Sequence, residues 1–402
     1  MRNKYPFIRP FKFFIGAALV AFSCTFQSCE NAEEAVQPEE VVGVSNTGDI
    51  IAGKYIVVLK KESGLRLAES ASYAERLRQV KSFGQGILRE RGINPEAIEQ
   101  SYGKALQGFA VSLSEAEAAK LSRDSRVAYV EPDKVISLGK PGGGGTTQPA
   151  QEVPYGIARV GYASGAGKVA WVIDSGIDLD HPDLNVDKAR SETFITSGTD
   201  SRSADDGNGH GTHVAGTIAA KNNTIGVIGV AHDATVVAVK VLNSQGSGST
   251  SGVMAGIDYV ATNGKAGDVA NMSLGGGVST TLDNAVVNAA SKGIIFCLAA
   301  GNESDDALNH SPARANGPNV YTISAMNNKD AWASFSNYGT PVDYCAPGVA
   351  IKSTWKGGAY NTISGTSMAT PHAAGVMLLG NPRTDGTVIG DPDGNPDRII
   401  IH

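Results

Sequence analysis

Cysteine is scarce in this chain: Cys24, Cys29, Cys297 and Cys345 are the four in 402 residues. Four are too few for a disulfide-built scaffold. None stand as a Cys-x-x-Cys pair, which argues against a zinc ribbon or a thioredoxin-like redox motif. Basic clusters are missing too. Lys+Arg number 34 against 40 Asp+Glu, a formal charge of −6, so nucleic acid is not an expected partner. No apolar run reaches 18 residues, and an integral membrane protein is not expected. Charged residues make up 18% and hydrophobic ones 41%, the composition of a globular chain. Glycine is abundant instead, with 49 residues against a usual ~7%. It shows no G-X-Y period, so it predicts tight turns and close backbone approaches, not collagen. At about 150 residues per domain, the length suggests two or three domains.

Residues 1–29 read as an export signal. Arg2, Lys4, Arg9 and Lys12 precede an apolar run of ten residues, 13–22, too short to span a bilayer. Ser23-Cys24 and Ser28-Cys29 follow. Such an end resembles a bacterial lipoprotein signal, whose cysteine is lipidated. Cys29 is favoured by the polar stretch that begins at Glu30, while Cys24 has the better upstream residues, Ala21 and Ser23. The alternative is an ordinary cleaved secretory signal. Either form places the protein outside the cytoplasm, secreted or in the cell envelope, with a lipid anchor to the membrane in the first case.

Residues 30–51 are an acidic, polar tether. Residues 52–137 read as a small α+β unit with strands at 54–60, 108–113 and 127–130, the last closed by Glu131-Pro132-Asp133. Helices are expected over 70–92 and 114–122, the second opened by a capping box of Ser114 and Glu117. Residues 138–149, rich in Gly, Thr and Pro, form an exposed linker. From 150 to 402 the texture changes. Non-alternating apolar runs at 168–173, 235–242 and 293–298 lie between helical stretches, which predicts an α/β domain with a buried, mainly parallel sheet. Active sites of such sheets lie at the carboxyl ends of the strands.

Asp174 ends the first of these runs. His210 follows in Asp206-Gly-Asn-Gly-His210-Gly-Thr-His213, opening a small-residue helix. A zinc pair of His210 and His213 and a histidine that merely caps the helix are the competing readings, although no His-Glu-x-x-His is present. Ser367 stands in Ser364-Gly-Thr-Ser367-Met-Ala-Thr-Pro-His372, where a helix N-terminus offers its N–H groups to an oxyanion. Serine becomes a nucleophile only when an imidazole takes its proton, and a carboxylate must fix that imidazole's tautomer.

The order Asp174, His210, Ser367 and the residues around them resemble the subtilisin-like serine proteases. The resemblance implies a three-layer α/β/α subtilisin-like domain, protein or peptide substrates, and Asn302, in Leu298-Ala-Ala299-Ala-Gly301-Asn302, as oxyanion donor. Ala299 and Gly301 would flank the primary specificity pocket together with Ser273, Leu274 and Gly275. Gly246 and Gly248 would form the opposite edge, both edges holding peptide by strand addition, and Leu242 would border the next pocket. Family pockets of this kind are broad and apolar, and Glu303 would stand at the rim for Lys or Arg. A structural calcium ion is implied at Gln151, Asp183, Lys221, Asn223, Ile225 and Val227, with all-oxygen ligation. A second stretch, Asp391-Pro-Asp393-Gly-Asn395-Pro-Asp397, reads better as a turn.

The 52–137 unit resembles the family's inhibitor propeptide through 55–58, 108–111 and 130–133. That implies a self-processing zymogen, cut within residues 137–150, and a monomer. Cys297 and Cys345 stand near strand ends, where a disulfide and two buried thiols are equally compatible. The C-terminus is shorter than usual for the family, with residues 398–401 expected as an edge strand. A serine esterase with Gly-x-Ser-x-Gly is excluded by the order of the three residues and by the missing second glycine.

Overall fold

The computed structural model describes residues 47–138 and 148–402. The export signal with Cys24 and Cys29, most of the tether and nearly all of the linker lie outside the described residues. No helix among those described is long and apolar enough to cross a membrane.

The N-terminal unit is a sheet with two helices on one face. Its elements are β1 (Ile50–Leu59), α1 (Tyr73–Glu90), β2 (Ile98–Tyr102), β3 (Gly108–Ser112), α2 (Glu115–Leu121) and β4 (Val127–Ser137). Both helices open with reciprocal capping boxes, Ser72 with Glu75 and Ser114 with Glu117. Val57, Ile87, Leu88, Phe109 and Leu121 fill its own core.

Two expectations are corrected here. Ile98–Tyr102 is an extra strand. The third expected strand does not close at Glu131-Pro132-Asp133 but continues to Ser137, because partners far along the chain use those acids. Glu131 Oε2 accepts from the Thr281 backbone N–H and hydroxyl. Asp133 accepts from the Ser251 N–H and hydroxyl. Thr281 and Ser251 lie in the first turns of helices Thr280–Ala290 and Thr250–Asn263, where unpaired N–H groups and the helix dipole favour an anion. Asp258, in the second of these helices, accepts from the backbone N–H groups of Gly103, Lys104 and Ala105, and burial pushes its carboxyl up to about 6.

The larger unit is built on one central sheet. Its order is Arg383–Thr387, Arg398–Ile401, Val342–Pro347, Val320–Met326, Ile295–Ala299, Val269–Met272, Val169–Asp174, Thr235–Lys240 and Asn185–Val186, with Glu192–Thr193 also on Thr235–Lys240. All these pairings are parallel except that of Arg383–Thr387 with Arg398–Ile401. Trp171, Ile173, Val237, Val239, Phe296 and Leu298 are fully buried, as apolar strands covered on both faces must be. Successive strands depart on both sides of Val169–Asp174, so the topological switch lies there.

Three further outcomes concern the C-terminal half. Residues 398–401 form a strand, but the edge is Arg383–Thr387, which pairs outside it. Cys297 and Cys345 are free and buried. The strand Val320–Met326 stands between theirs, and two sheet spacings of about 4.8 Å exceed disulfide reach. The stretch 391–397 is a chain of turns: Asp391 accepts from the Asp393 and Asp397 N–H groups, and Asp393 from that of Asn395.

Asp397 is buried against Ser324, and desolvation pushes its carboxyl up to about 7. The native state therefore holds this proton more tightly than the unfolded chain does. Its stabilising contribution is complete below about pH 4 and is lost as pH rises through about 7. Asp397→Asn is accordingly expected to raise Tm at pH 8 by roughly 5 °C and to leave it unchanged at pH 4. Thermal unfolding at the two pH values checks this, and equal shifts at both would refute it.

Candidate active site

Asp174 is the last residue of the strand Val169–Asp174 at the switch point. His210 begins the helix His210–Ala219. Both are fully buried, and His210 Nδ1 lies 2.8 and 2.9 Å from the two Asp174 oxygens. The glycines around His210 have a steric reason. Gly209 has φ +113°, and a Cβ there would meet the Trp355 ring at 2.4 Å. A Cβ on Gly211 would stand 2.0 Å from the Gly176 carbonyl oxygen. Only glycine lets the helix start approach the Asp174 strand this closely.

The sequence reading assigned no role to Asp206, yet it builds this turn. Its Oδ1 accepts from the Ser175 hydroxyl and the Asn208 and Gly209 N–H groups, and its Oδ2 from the Thr212 N–H and hydroxyl. Its place four residues before the histidine was the available signal. The zinc alternative is not supported: among the described residues no three His, Cys, Asp or Glu side chains converge to hold a metal ion, His210 Nδ1 is taken by Asp174, and His213 Nε2 bonds the Ile351 carbonyl.

Ser367 is the second residue of the helix Thr366–Leu379, where backbone N–H groups have no intrahelical partner. Its hydroxyl does not bond His210. It donates to the Ser273 carbonyl at 3.1 Å, while the Ser273 hydroxyl donates to the Ser367 carbonyl at 2.7 Å. His210 Nε2 is buried without a hydrogen-bond partner. Asn302 follows the strand Ile295–Ala299, and its Oδ1 accepts from the Thr366 N–H and hydroxyl at 2.8 and 2.9 Å. A small pocket opens beside Ser367, lined by Leu274, Gly275, Ala299, Gly301, Asn302 and Glu303 among others.

The same residues lie inside a region that matches known proteins. Residues 165–382 match the model of the Subtilase family, and residues 54–139 match that of the Peptidase inhibitor I9 domain. This chain belongs to the subtilase family. It is 42% identical over 340 residues to an extracellular serine proteinase of a Thermus species, covering 82% of this chain and 80% of that one. It is 44% identical over 347 residues to subtilisin E of Bacillus subtilis, covering 83% of each. Against alkaline serine exoprotease A of Vibrio alginolyticus the identity is 41% over 341 residues, and the match takes in 82% of this chain but only 60% of that protein's length. The crystal structure of a cold adapted subtilisin-like serine proteinase superposes with a TM-score of 0.55 at 40% identity, covering 61% of this chain and 96% of the other. The chain is thus a subtilisin-like serine protease carrying an I9 domain.

The I9 unit of this subtilase places its last strand in the cleft. The strand Ser247–Ser249 pairs antiparallel with β4, Ser247 opposite Ser137 and Gly248 opposite Ile136. The Leu138 N–H donates to the Gly246 carbonyl at 2.7 Å. On this edge strand addition is direct. On the other edge no backbone bond joins residues 273–276 to β4 among the described residues. The Thr47 hydroxyl stands between them, accepting from the Ser137 N–H and donating to the Gly275 carbonyl. Leu242 is fully buried beneath Gly248. Glu303 lines the pocket beside Ser367, held by the Asn337 amide at 2.7 Å.

The expected cation ligands of the subtilase are brought together. Lys221 O, Val227 O and Asn223 Oδ1 converge on the Gln151 amide nitrogen at 2.7, 3.4 and 3.5 Å. Asp183 adjoins them through the Asn223 amide, and the Ile225 N–H bonds Asn223 Oδ1. Burial pushes the Asp183 carboxyl up to about 6, the mark of an acid short of positive charge. Turning the Gln151 amide would put a fourth oxygen beside those of Lys221, Val227 and Asn223, a donor set whose chemistry suits a hard divalent cation.

Proposed function

We propose that the chain is an exported serine endopeptidase, made as a zymogen that cuts its own linker within residues 137–150. The observation that carries this is the buried Asp174–His210 contact, which fixes the proton on Nδ1 and leaves Nε2 as the base. In this reading the Ser367 hydroxyl turns from the Ser273 carbonyl to Nε2 once a substrate carbonyl is seated. Such bonds often form only in the substrate complex. Oγ attacks the carbonyl carbon and its proton passes to Nε2. The resulting oxyanion is held by the Ser367 N–H and by the Asn302 side-chain amide, whose orientation is set by Thr366 on its oxygen. Collapse breaks the C–N bond, and the Nε2 proton leaves with the amine. Water then cleaves the acyl ester by the same route in reverse.

Leu274, Ala299, Ala300 and Ala313 give the pocket apolar walls, which supports broad, mainly apolar selectivity at the residue before the cut. Glu303 at its lining adds a negative charge that would help accept Lys or Arg. Export is supported by the N-terminal signal pattern and by a relative named as extracellular. Calcium is the proposed ion at Asp183, Gln151, Asn223 and the carbonyls of Lys221, Ile225 and Val227. Its chemistry would be structural: bound there, it would neutralise the Asp183 carboxylate, and the loop after the His210 helix would be tied to residue 151.

The test is intact mass against time for the chain lacking its signal, with and without a chelator. The expected product has lost everything up to the 137–150 window. Chelation is expected to lower the product's Tm by about 5–10 °C, the effect of losing a ligand held at ~100 times its Kd. A chain that stays whole and leaves Ser367 unlabelled by a fluorophosphonate would refute the protease reading. A Tm unmoved by chelation would refute the calcium site.

A further inference from the structure

Residues 47–49 precede β1 and run alongside β4, on the side away from Ser247–Ser249. The Gly48 N–H donates to the Val135 carbonyl at 2.8 Å, and the Val135 N–H to the Asp49 carbonyl at 2.9 Å. The Thr47 hydroxyl then takes the place of a backbone group. It accepts from the Ser137 N–H at 3.3 Å and donates to the Gly275 carbonyl at 3.0 Å. Just beyond, Lys134 Nζ donates to the Val278 carbonyl at 2.5 Å. The N–H groups of Val135 and Ser137 therefore end on residues 47–49, while that of Leu138 ends on Gly246.

The fit is close on both faces. Gly48 has φ +86°, and a Cβ there would come within 3.1 Å of Gly277 N and 3.2 Å of Gly277 Cα. A Cβ on Gly277 would stand 3.1 Å from Gly48 Cα, and one on Gly276 would stand 3.2 Å from Thr47 Oγ1. Backbone lies on backbone with no side chain between them, a contact that suits glycine at each of these positions.

We propose that residues 47–49 are a second inhibitory strand. They cover the flank of the substrate cleft formed by residues 275–278 and lock β4 against it, so the cleft opens fully only when both segments have left. A peptide taking the path of β4 would need the Gly275 carbonyl, and Thr47 holds it. This inference rests on the zymogen reading above, and the first arm of its test does not.

In the signal-less full chain bearing Ser367→Ala, amide hydrogen exchange is measured at Val135, Ser137 and Leu138. Thr47→Val removes the hydroxyl and Gly48→Val obstructs the approach to Gly277. Each is expected to speed exchange at Val135 or Ser137 roughly fivefold, the effect of one lost hydrogen bond, with a smaller change at Leu138. Thr47→Ser keeps the hydroxyl and is expected to match the parent. In the chain with Ser367 intact, the same two substitutions are expected to shorten the delay between the linker cut and full peptidase activity severalfold, again with Thr47→Ser unchanged. Unaltered exchange at Val135 and Ser137 would overturn the strand lock. Faster exchange with an unaltered delay would overturn its inhibitory role. If no variant shows peptidase activity, the zymogen reading fails and exchange alone decides the lock.

Discussion

Ser367→Ala is expected to leave the signal-less chain whole and to lower peptide-bond hydrolysis by about 10⁶-fold, a size carried over from subtilisin, a family member, and not read off this geometry. Two features make the loss a chemical one. Ser367 is 5% exposed and its hydroxyl makes one bond, to the Ser273 carbonyl. Removing it costs about 1 kcal/mol, too little to unfold a domain of this size. The helix N-terminus, the Ser273 hydroxyl bond to the Ser367 carbonyl and the Asn302–Thr366 bonds do not involve Oγ. The oxyanion site therefore survives without its nucleophile, and a residual rate of about 10³–10⁴ over water remains the expectation. Intact mass reads the outcome on the full chain, with Tm as the control. Cleavage persisting within tenfold of the parent rate, at equal Tm, would remove Ser367 from the chemistry.

Much of the fold can be read directly from the residues. Apolar strands without alternation mean a sheet covered on both faces, and the runs at 168–173, 235–242 and 293–298 lie in the central sheet. Asp174 and His210 stand out because each ends or begins an element beside glycines that a side chain would crowd. What stayed hidden depends on distant partners. Glu131, Pro132 and Asp133 look like a turn because acids and proline end strands locally. In the fold the two acids bind helix N-termini more than a hundred residues away. Ile98–Tyr102 (IEQSY) buries only its ends, too weak a pattern to read as a strand. Thr47 had no signal at all, because its importance lies in Gly275 and Ser137, which sequence distance separates from it. The Ser367 rotamer and the free Cys297 are likewise properties of neighbours, Ser273 in one case and an intervening strand in the other.

Asp174→Asn is expected to keep the fold and lower the rate by about 10⁴-fold. The cause is a single proton in the wrong place. Asp174 Oδ1 accepts from the Ser175 N–H at 2.6 Å as well as from His210 Nδ1. An asparagine that keeps the Ser175 bond through its oxygen must put its NH₂ where Oδ2 now lies, 2.9 Å from His210 Nδ1. Two N–H groups cannot face each other at that distance. The neutral imidazole then moves its proton to Nε2, the nitrogen that is buried without a partner in the parent. A protonated Nε2 cannot receive the serine proton, so the base is lost while every residue stays in position. The pocket at Leu274, Ala299 and Glu303 is untouched, which confines the effect to kcat and leaves KM near the parent value. Ring-nitrogen NMR of His210 should show the protonated nitrogen exchanged between Nδ1 and Nε2. A tautomer unchanged by Asp174→Asn, or a rate within tenfold of the parent, would mean that Asp174 does not set the imidazole. His210 Nε2 would then stay the base without the Asp174 carboxylate, and the Nδ1 proton would be held by the remaining amide oxygen alone.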